Sequence, residues 1–187
     1  EICACLVGSE MCIRDSDTIA GSGLEKMFYG QILSILVIIP LVGWIAAIVG
    51  IVLFLVGLHE AAGADEGYRT AFYVEIGILV LSVLAVFIGV LNIVTSILSL
   101  VVIYLVCTTT AGLLEVKGDL GTAARGRFAW KFYGGCTALV VVCSILSLIP
   151  LVNILAMVVI VPASIASVVG GILLLIFLYR ACKSLRY

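Results

Sequence analysis

Charged positions along this chain leave three long gaps. Residues 27–59, 76–114 and 132–179 contain no Asp, Glu, Lys or Arg, and these runs are 33, 39 and 48 residues long. One membrane crossing by a helix takes about 20 apolar residues at ~1.5 Å rise each. Even the shortest gap, as one helix, would reach about 50 Å against a hydrocarbon core of ~30 Å. Each gap therefore suits two crossings, and each has a break near its midpoint: Pro40-Leu41-Val42-Gly43, Gly89-Val90-Leu91-Asn92 and Pro150-Leu151-Val152-Asn153. Proline removes a backbone donor, and Gly and Asn accept the angles of a tight turn. The pattern predicts an all-α membrane protein of six transmembrane helices, at about 24–39, 41–61, 67–88, 91–114, 122–148 and 163–184, paired as three helical hairpins.

The basic residues orient these hairpins. Arg14, Lys26, Arg69, Lys117, Arg125, Arg127, Lys131, Arg180, Lys183 and Arg186 all fall at predicted hairpin bases and none at a tip. With six crossings these segments share one side, which the positive-inside rule makes the cytoplasm, with both termini there. An internal repeat has the same period. Phe28-Tyr29, Phe72-Tyr73 and Phe132-Tyr133 each stand where a hairpin enters the membrane, the level aromatic side chains favour, and Ile-Pro-Leu-Val occurs at two tips, 39–42 and 149–152. A unit of two helices repeats in the same orientation, so the predicted repeats are parallel about the membrane normal. The stretch from Asn153 to Pro162 is too short to cross and is expected at the outer surface or as a re-entrant segment.

Composition narrows the function classes. Of 187 residues 64% are hydrophobic, against roughly 45–50% in soluble domains, and 10 basic residues face 11 acidic ones. Mean hydropathy is +1.37. A soluble enzyme needs a charged shell and a nucleic-acid binder a basic face, and the chain has material for neither. The expected location is the cytoplasmic membrane and the expected partners are the lipid bilayer and a membrane-protein partner or a second copy, with no nucleic acid. Residues 1–16, EICACLVGSEMCIRDS, are neither continuously apolar nor amphipathic, and they lack the parts of a secretory signal. GSEMCIRDS resembles translated sequencing-adapter read-through, so 1–16 is expected to be a non-native scar ahead of a single transmembrane domain at 17–187.

Lipid gives helices no hydrophobic reason to pair, so small residues mark candidate packing faces. Gly43, Gly50 and Gly57 recur every seven residues in the second predicted helix, and Ala163, Ser167 and Gly171 every four in the sixth; Gly77, Ala85 and Gly89 suggest a looser seam in the third. Glu75 is the one carboxylate expected inside a crossing. Two readings stand: an interfacial acid that snorkels outward or pairs with Arg69 or Arg125, or a proton or cation site, since a charge in the membrane interior is costly to keep. Arg125, Arg127, Trp130 and Lys131 combine basic and aromatic side chains in the way that anchors a segment at an anionic leaflet. His59 has no second His or Cys beside it, so no metal site is expected, nor any cofactor. No hydrolase, metalloprotease or nucleotide-binding motif is present, and no catalytic residue is assigned.

The motifs Ile-Pro-Leu-Val-Gly (39–43), Val-Gly-Leu-His-Glu-Ala (56–61) and Asp-Glu-Gly-Tyr-Arg-Thr-Ala-Phe (65–72), with Leu-Tyr-Arg-Ala-Cys-Lys-Ser-Leu at 178–185, resemble a family of uncharacterised prokaryotic multi-pass membrane proteins of unknown function. The resemblance covers about 32–84 and 178–185, implies a prokaryotic cytoplasmic-membrane protein and carries no activity. The leading expectation is a non-enzymatic structural, interaction or accessory subunit. The alternative is a small-solute or ion transporter or channel, its path running between hairpins near Glu75 and the hydroxyls of Thr95, Ser96 and Ser99.

Overall fold

The computed structural model describes the backbone of residues 2–36, 39, 42–146 and 153–186, and the side chains of 16–36, 39, 43–146 and 158–186. It is all-helical: α1 (Ile2–Ile35), α2 (Val42–Ala61), α3 (Glu66–Ala85), α4 (Leu91–Val116), α5 (Leu120–Leu146) and α6 (Asn153–Arg186). Five helices, α2 to α6, are long and apolar enough to cross a membrane. The expected sixth crossing corresponds to α1, which differs from the prediction in starting at Ile2 rather than near residue 24 and ending at Ile35. Its charge-free run begins only at Met27; residues 37 and 38 lie outside the described residues, as do the tip residues Pro40-Leu41 and Pro150-Leu151-Val152.

The segment Asn153–Pro162 is not separate, because α6 runs unbroken through Pro162. A proline deletes one backbone hydrogen bond, whereas a broken segment in lipid leaves several groups unpaired, so continuing the helix is the less costly solution. At the middle tip the helix stops at Ala85 and a turn over 86–90 leads into α4, where the Asn92 amide reaches the Gly89 carbonyl at 3.2 Å.

The base connections follow from local chemistry. Asp65 caps α3 by accepting from the Gly67 amide at 2.7 Å. After Val116 the chain closes α4 on Gly118, whose φ of 90° costs a glycine little. The Gly118 amide then donates to Glu115 and the Asp119 amide to Leu114, at 3.0 and 2.9 Å, satisfying carbonyls the helix end leaves over. Asp119 opens α5 by accepting from the Thr122 amide at 3.0 Å, and Ser184 of α6 donates to its other oxygen at 2.9 Å.

Each helix packs on the next in sequence and α1 packs on α6, so the six close into a ring. The α1–α2 seam is the tightest in backbone approach. Glycines oppose each other twice: a Cβ on Gly57 would lie 2.5 Å from the Gly23 carbonyl oxygen, and one on Gly50 would lie 2.9 Å from that of Gly30. The spacing is seven residues on both helices, and the antiparallel pairing 23 with 57 and 30 with 50 sets the register. Between α3 and α4, Gly67 leaves room for Thr109, and the fully buried Tyr68 meets Thr110 at 2.7 Å. Thr110 spends its proton on the Val106 carbonyl, so Tyr68 is the donor. Between α5 and α6, Gly126 receives the Phe177 ring and Gly170 lies against Tyr133. Gly171 is a correction: among the described residues a Cβ there would meet nothing, because the adjacent Gly170 occupies the face turned to α5. Gly77 and Gly89 likewise meet nothing, so the looser seam expected in α3 reduces to the buried Ala85. Gly43 and Ala163 are buried, and Ser167, half-buried, donates to the Ala163 carbonyl at 3.0 Å.

Fully buried side chains concentrate at the base of the ring, among them Leu24, Leu58, Leu114, Phe177 and Leu178. Ion pairs rim this plug. Lys26 pairs with Glu60, Arg186 with Glu25 and Arg127 with Glu115, while Ser22 donates to Glu60 at 2.9 Å and Lys117 to the carbonyls of Ser184 and Leu185.

A polar cavity within the ring

Halfway along the helices a half-open cavity of about 230 Å³ lies between α1, α2, α3, α4 and α5. That is room for several water molecules or a small solute. Its polar lining comes from four helices: Gln31 and Ser34 of α1, Glu75 of α3, Ser99 of α4 and Tyr133 of α5, with α2 contributing Gly50, Ile51 and Phe54. A narrow space of about 20 Å³ continues past Gln31 and Phe54 toward Cys107, Leu174 and Leu178, where the buried base closes it.

Glu75 is the tenth of the 20 residues of α3, half-buried, and roughly 15 Å from either helix end. Among the described residues the ion pairs are those of Lys26, Arg127 and Arg186, so neither Arg69 nor Arg125 neutralises it. Among the described residues, then, Glu75 makes neither of the two ion pairs that its interfacial reading offered beside snorkelling.

The hydroxyls beside it are oriented. Ser34 donates to the Gly30 carbonyl at 3.0 Å and Ser99 to that of Thr95 at 2.9 Å, each within its own helix. A hydroxyl has one proton, so both oxygens present lone pairs to the cavity. With the carboxylate, these give the site a bias toward acceptors. Tyr133 adds the edge or face of a ring, and one turn further along α5 the Thr137 hydroxyl is buried with no hydrogen-bond partner among the described residues.

Other predicted residues fall elsewhere. Thr95 and Ser96 both bond the Asn92 carbonyl, at 3.0 and 2.8 Å, near the tip rather than in the cavity. His59 lies in the last turn of α2, exposed, with its ring 5.1 Å from that of Phe72. Among the described residues no three His, Cys, Asp or Glu side chains gather as a metal site would require. Trp130 is a correction to the lipid-facing group: its ring packs edge-on to Tyr104 at 4.8 Å, on the inner side of α5. Two residues along a helix is about 200° of rotation, so Phe128, 62% exposed and stacked on Phe132, takes the outward position. Arg125 and Lys131 are exposed, and Arg127 is held by Glu115.

Outside the helices' apolar stretches, Asp119 has its carboxyl held below the usual carboxylate range, first by the Thr122 hydroxyl and then by the Thr122 amide and Ser184. At the base of α1 burial pushes the Asp17 carboxyl up, with Lys117 pulling the other way.

Sequence reasoning missed Gln31, Ser34 and Tyr133, and also Gly23 and Gly30. The glycines were legible, since they repeat the seven-residue spacing of Gly50 and Gly57. Tyr133 was assigned to the membrane interface with Tyr29 and Tyr73, which are indeed exposed, but it turns inward. No protein-family model matches the chain, and neither a curated protein nor a solved structure is significantly similar to it.

Proposed function

We propose that the chain is a non-enzymatic, multi-pass protein of the cytoplasmic membrane that binds a small monovalent cation in the cavity around Glu75, as a carrier or channel does. The observation that carries this reading is an intramembrane carboxylate without an ion-pair partner, facing a cavity whose serine hydroxyls have already spent their protons. A buried negative charge is costly unless something compensates it, and a cation coordinated by Glu75, Ser34 and Ser99 does so. The chain's histidine lies away from this cavity, which favours binding over acid-base chemistry.

The topology belongs to the same proposal: six crossings, three parallel hairpin repeats, and both termini in the cytoplasm. Supporting it, the α4–α5 link meets the end of α6 through Lys117 and Ser184, and the end of α6 meets the base of α1 through Arg186 and Glu25, so Lys117 and Arg186 lie toward the same end. The Phe28-Tyr29 and Phe72-Tyr73 pairs also share an arrangement, ring centroids at 5.7 and 5.8 Å and near edge-on, with Tyr outward in both.

A second reading, a structural or accessory subunit packed on a membrane-protein partner or a second copy, is favoured by one observation. Among the described residues, a Cβ at the helical glycines Gly77, Gly112, Gly135 and Gly171 would meet nothing, so they leave small-residue positions for another helix.

The test is cation binding to the full chain in zwitterionic lipid nanodiscs. Sodium, potassium or tetramethylammonium should bind saturably at one site and be lost in Glu75→Gln with the helical content intact. If none binds in a Glu75-dependent way, and native mass spectrometry finds dimers or partners instead, the subunit reading replaces it.

A further inference from the structure

α5 and α6 run antiparallel in a single register: Ser184 donates to Asp119, the Phe177 ring fills the space at Gly126, and Gly170 lies against Tyr133. Each step along α5 is matched by one step back along α6. Arg125 therefore stands within about 3 Å of the height of Arg180, with Lys183 about one turn nearer the base. Rotation puts all three on one side of the seam. Arg125 is the residue before Gly126, and Arg180 and Lys183 follow Phe177 by three and six positions; in antiparallel helices, turns of about 100° per residue then lead to the same flank. It is the outer flank, since Trp130 and Ala181 hold the inner one, and Arg125, Arg180 and Lys183 are all exposed.

The charges of this flank are unbalanced. Lys26, Arg127 and Arg186 are held in ion pairs and Lys117 bonds the carbonyls of Ser184 and Leu185, but among the described residues no ion pair includes Arg125, Arg180 or Lys183. Asp119 feels the Arg125 charge, yet its two oxygens are taken by the Thr122 amide and by Ser184. Three like charges gathered from two helices focus a field that an anion relieves.

We propose that this flank is a head-group site for a phospholipid of net negative charge, its phosphate bridging Arg125 of α5 and Arg180 and Lys183 of α6. A guanidinium presents a planar fork that matches phosphate oxygens, and an ammonium adds a point charge. The anion comes from lipid because the site lies on the outer side of two helices apolar enough to cross a membrane. Further from the base, Phe128 and Phe132 stack at 6.2 Å and Ile176 is exposed on α6, so the flank passes from charge to apolar surface as a phospholipid does. The acyl chains are in lipid whether the head group binds or not, so they supply no preference and selectivity rests on head-group charge. Where sequence alone offered an anchor of Arg125, Arg127, Trp130 and Lys131 along one helix, the fold turns Arg127 to Glu115 and Trp130 to Tyr104, and brings in the end of α6. The site lies outside the ring and is independent of the cation reading of Glu75.

The experiment is native mass spectrometry of the full chain released from phosphatidylcholine nanodiscs that hold a minor share of phosphatidylglycerol. Phosphatidylglycerol should be enriched on the protein by about tenfold or more over its share of the disc, since each basic residue at a membrane surface is worth about fivefold. Arg180→Gln combined with Lys183→Gln should remove most of that enrichment, and Arg125→Gln, on the other helix, should reduce it several-fold. Lys131→Gln, at an exposed position of α5 that the same rotation turns away from α6, should leave it unchanged. Helical content by circular dichroism checks each variant, and Arg125→Gln alone carries the test if the double variant folds poorly. Phosphatidylglycerol retained only in proportion to its share overturns the proposal. So does a Lys131→Gln loss equal to that of Arg125→Gln, which would mean diffuse attraction to a basic end. Displacement of the lipid by millimolar inorganic phosphate would give the flank to a soluble anion instead.

Discussion

The two flanks of α2 are built from neighbouring residues and behave oppositely. On the α1 side Gly50 and Gly57 bring backbones so close that a single methyl would collide with a carbonyl oxygen. On the α3 side Val52, Leu55 and Val56 are larger and more apolar, yet they line an open groove. In water the second face would be the adhesive one. In lipid, apolar area has nothing to gain by leaving its solvent, and only close packing and satisfied polar groups hold helices together. The contrast separates a seam held by close backbone approach from one that is not.

Adding one methyl to each flank breaks the comparison most directly. Gly57→Ala pushes α1 away and should destabilise the protein by about 3 kcal/mol, whereas Val56→Ile, one residue earlier, should stay within ~0.5 kcal/mol. Helicity during SDS titration measures both, and equal losses would mean that α2 is packed alike on its two sides. Next in size is Tyr68→Phe, which removes the buried donor to Thr110 and should cost about 1–2 kcal/mol by leaving that oxygen short of a partner. The same titration reads it, and a Tyr68→Phe variant as stable as the original would show that this bond does not tie α3 to α4. Trp130→Phe should weaken the α4–α5 seam by about 1 kcal/mol, while Phe128→Ala, on the outward side of the same helix, should leave stability nearly unchanged in the same titration.

The smallest effect is electrostatic. The Asp119 carboxyl titrates below its unfolded value, so its contribution to stability is complete above about pH 4 and fades as pH falls through the lower folded value. Asp119→Asn should therefore unfold more easily than the original protein at neutral pH, with the gap closing in acid. A gap that persists unchanged down to about pH 2 would assign the loss to something other than the charge.

Much of the helical layout was readable from charge spacing, because ionised side chains are too costly to place at random along apolar helices. The middle tip stood where Gly89 and Asn92 suggested, and the start of α3 follows from an Asp cap. The break at Asn153–Pro162 was misread because a residue type that ends helices in water does not end them where the alternative is unpaired backbone, while the start of α1 was placed late because residues 1–16 had been set apart from the fold. The cavity was half legible. An intramembrane glutamate stood out, but Gln31, Ser34 and Tyr133 are ordinary in their own segments and become a site only when four helices face one another.

What the sequence determined by itself is membership of the membrane class, the helices and the residues that let α1 and α2 touch, since each depends on local composition or a fixed spacing. Tertiary structure decided which glycine of the Gly170-Gly171 pair packs, which way Trp130 and Tyr133 turn, and which seam stays open. Those outcomes depend on rotation about each helix axis, and a rotation of about 100° per residue reverses inside and outside within two positions.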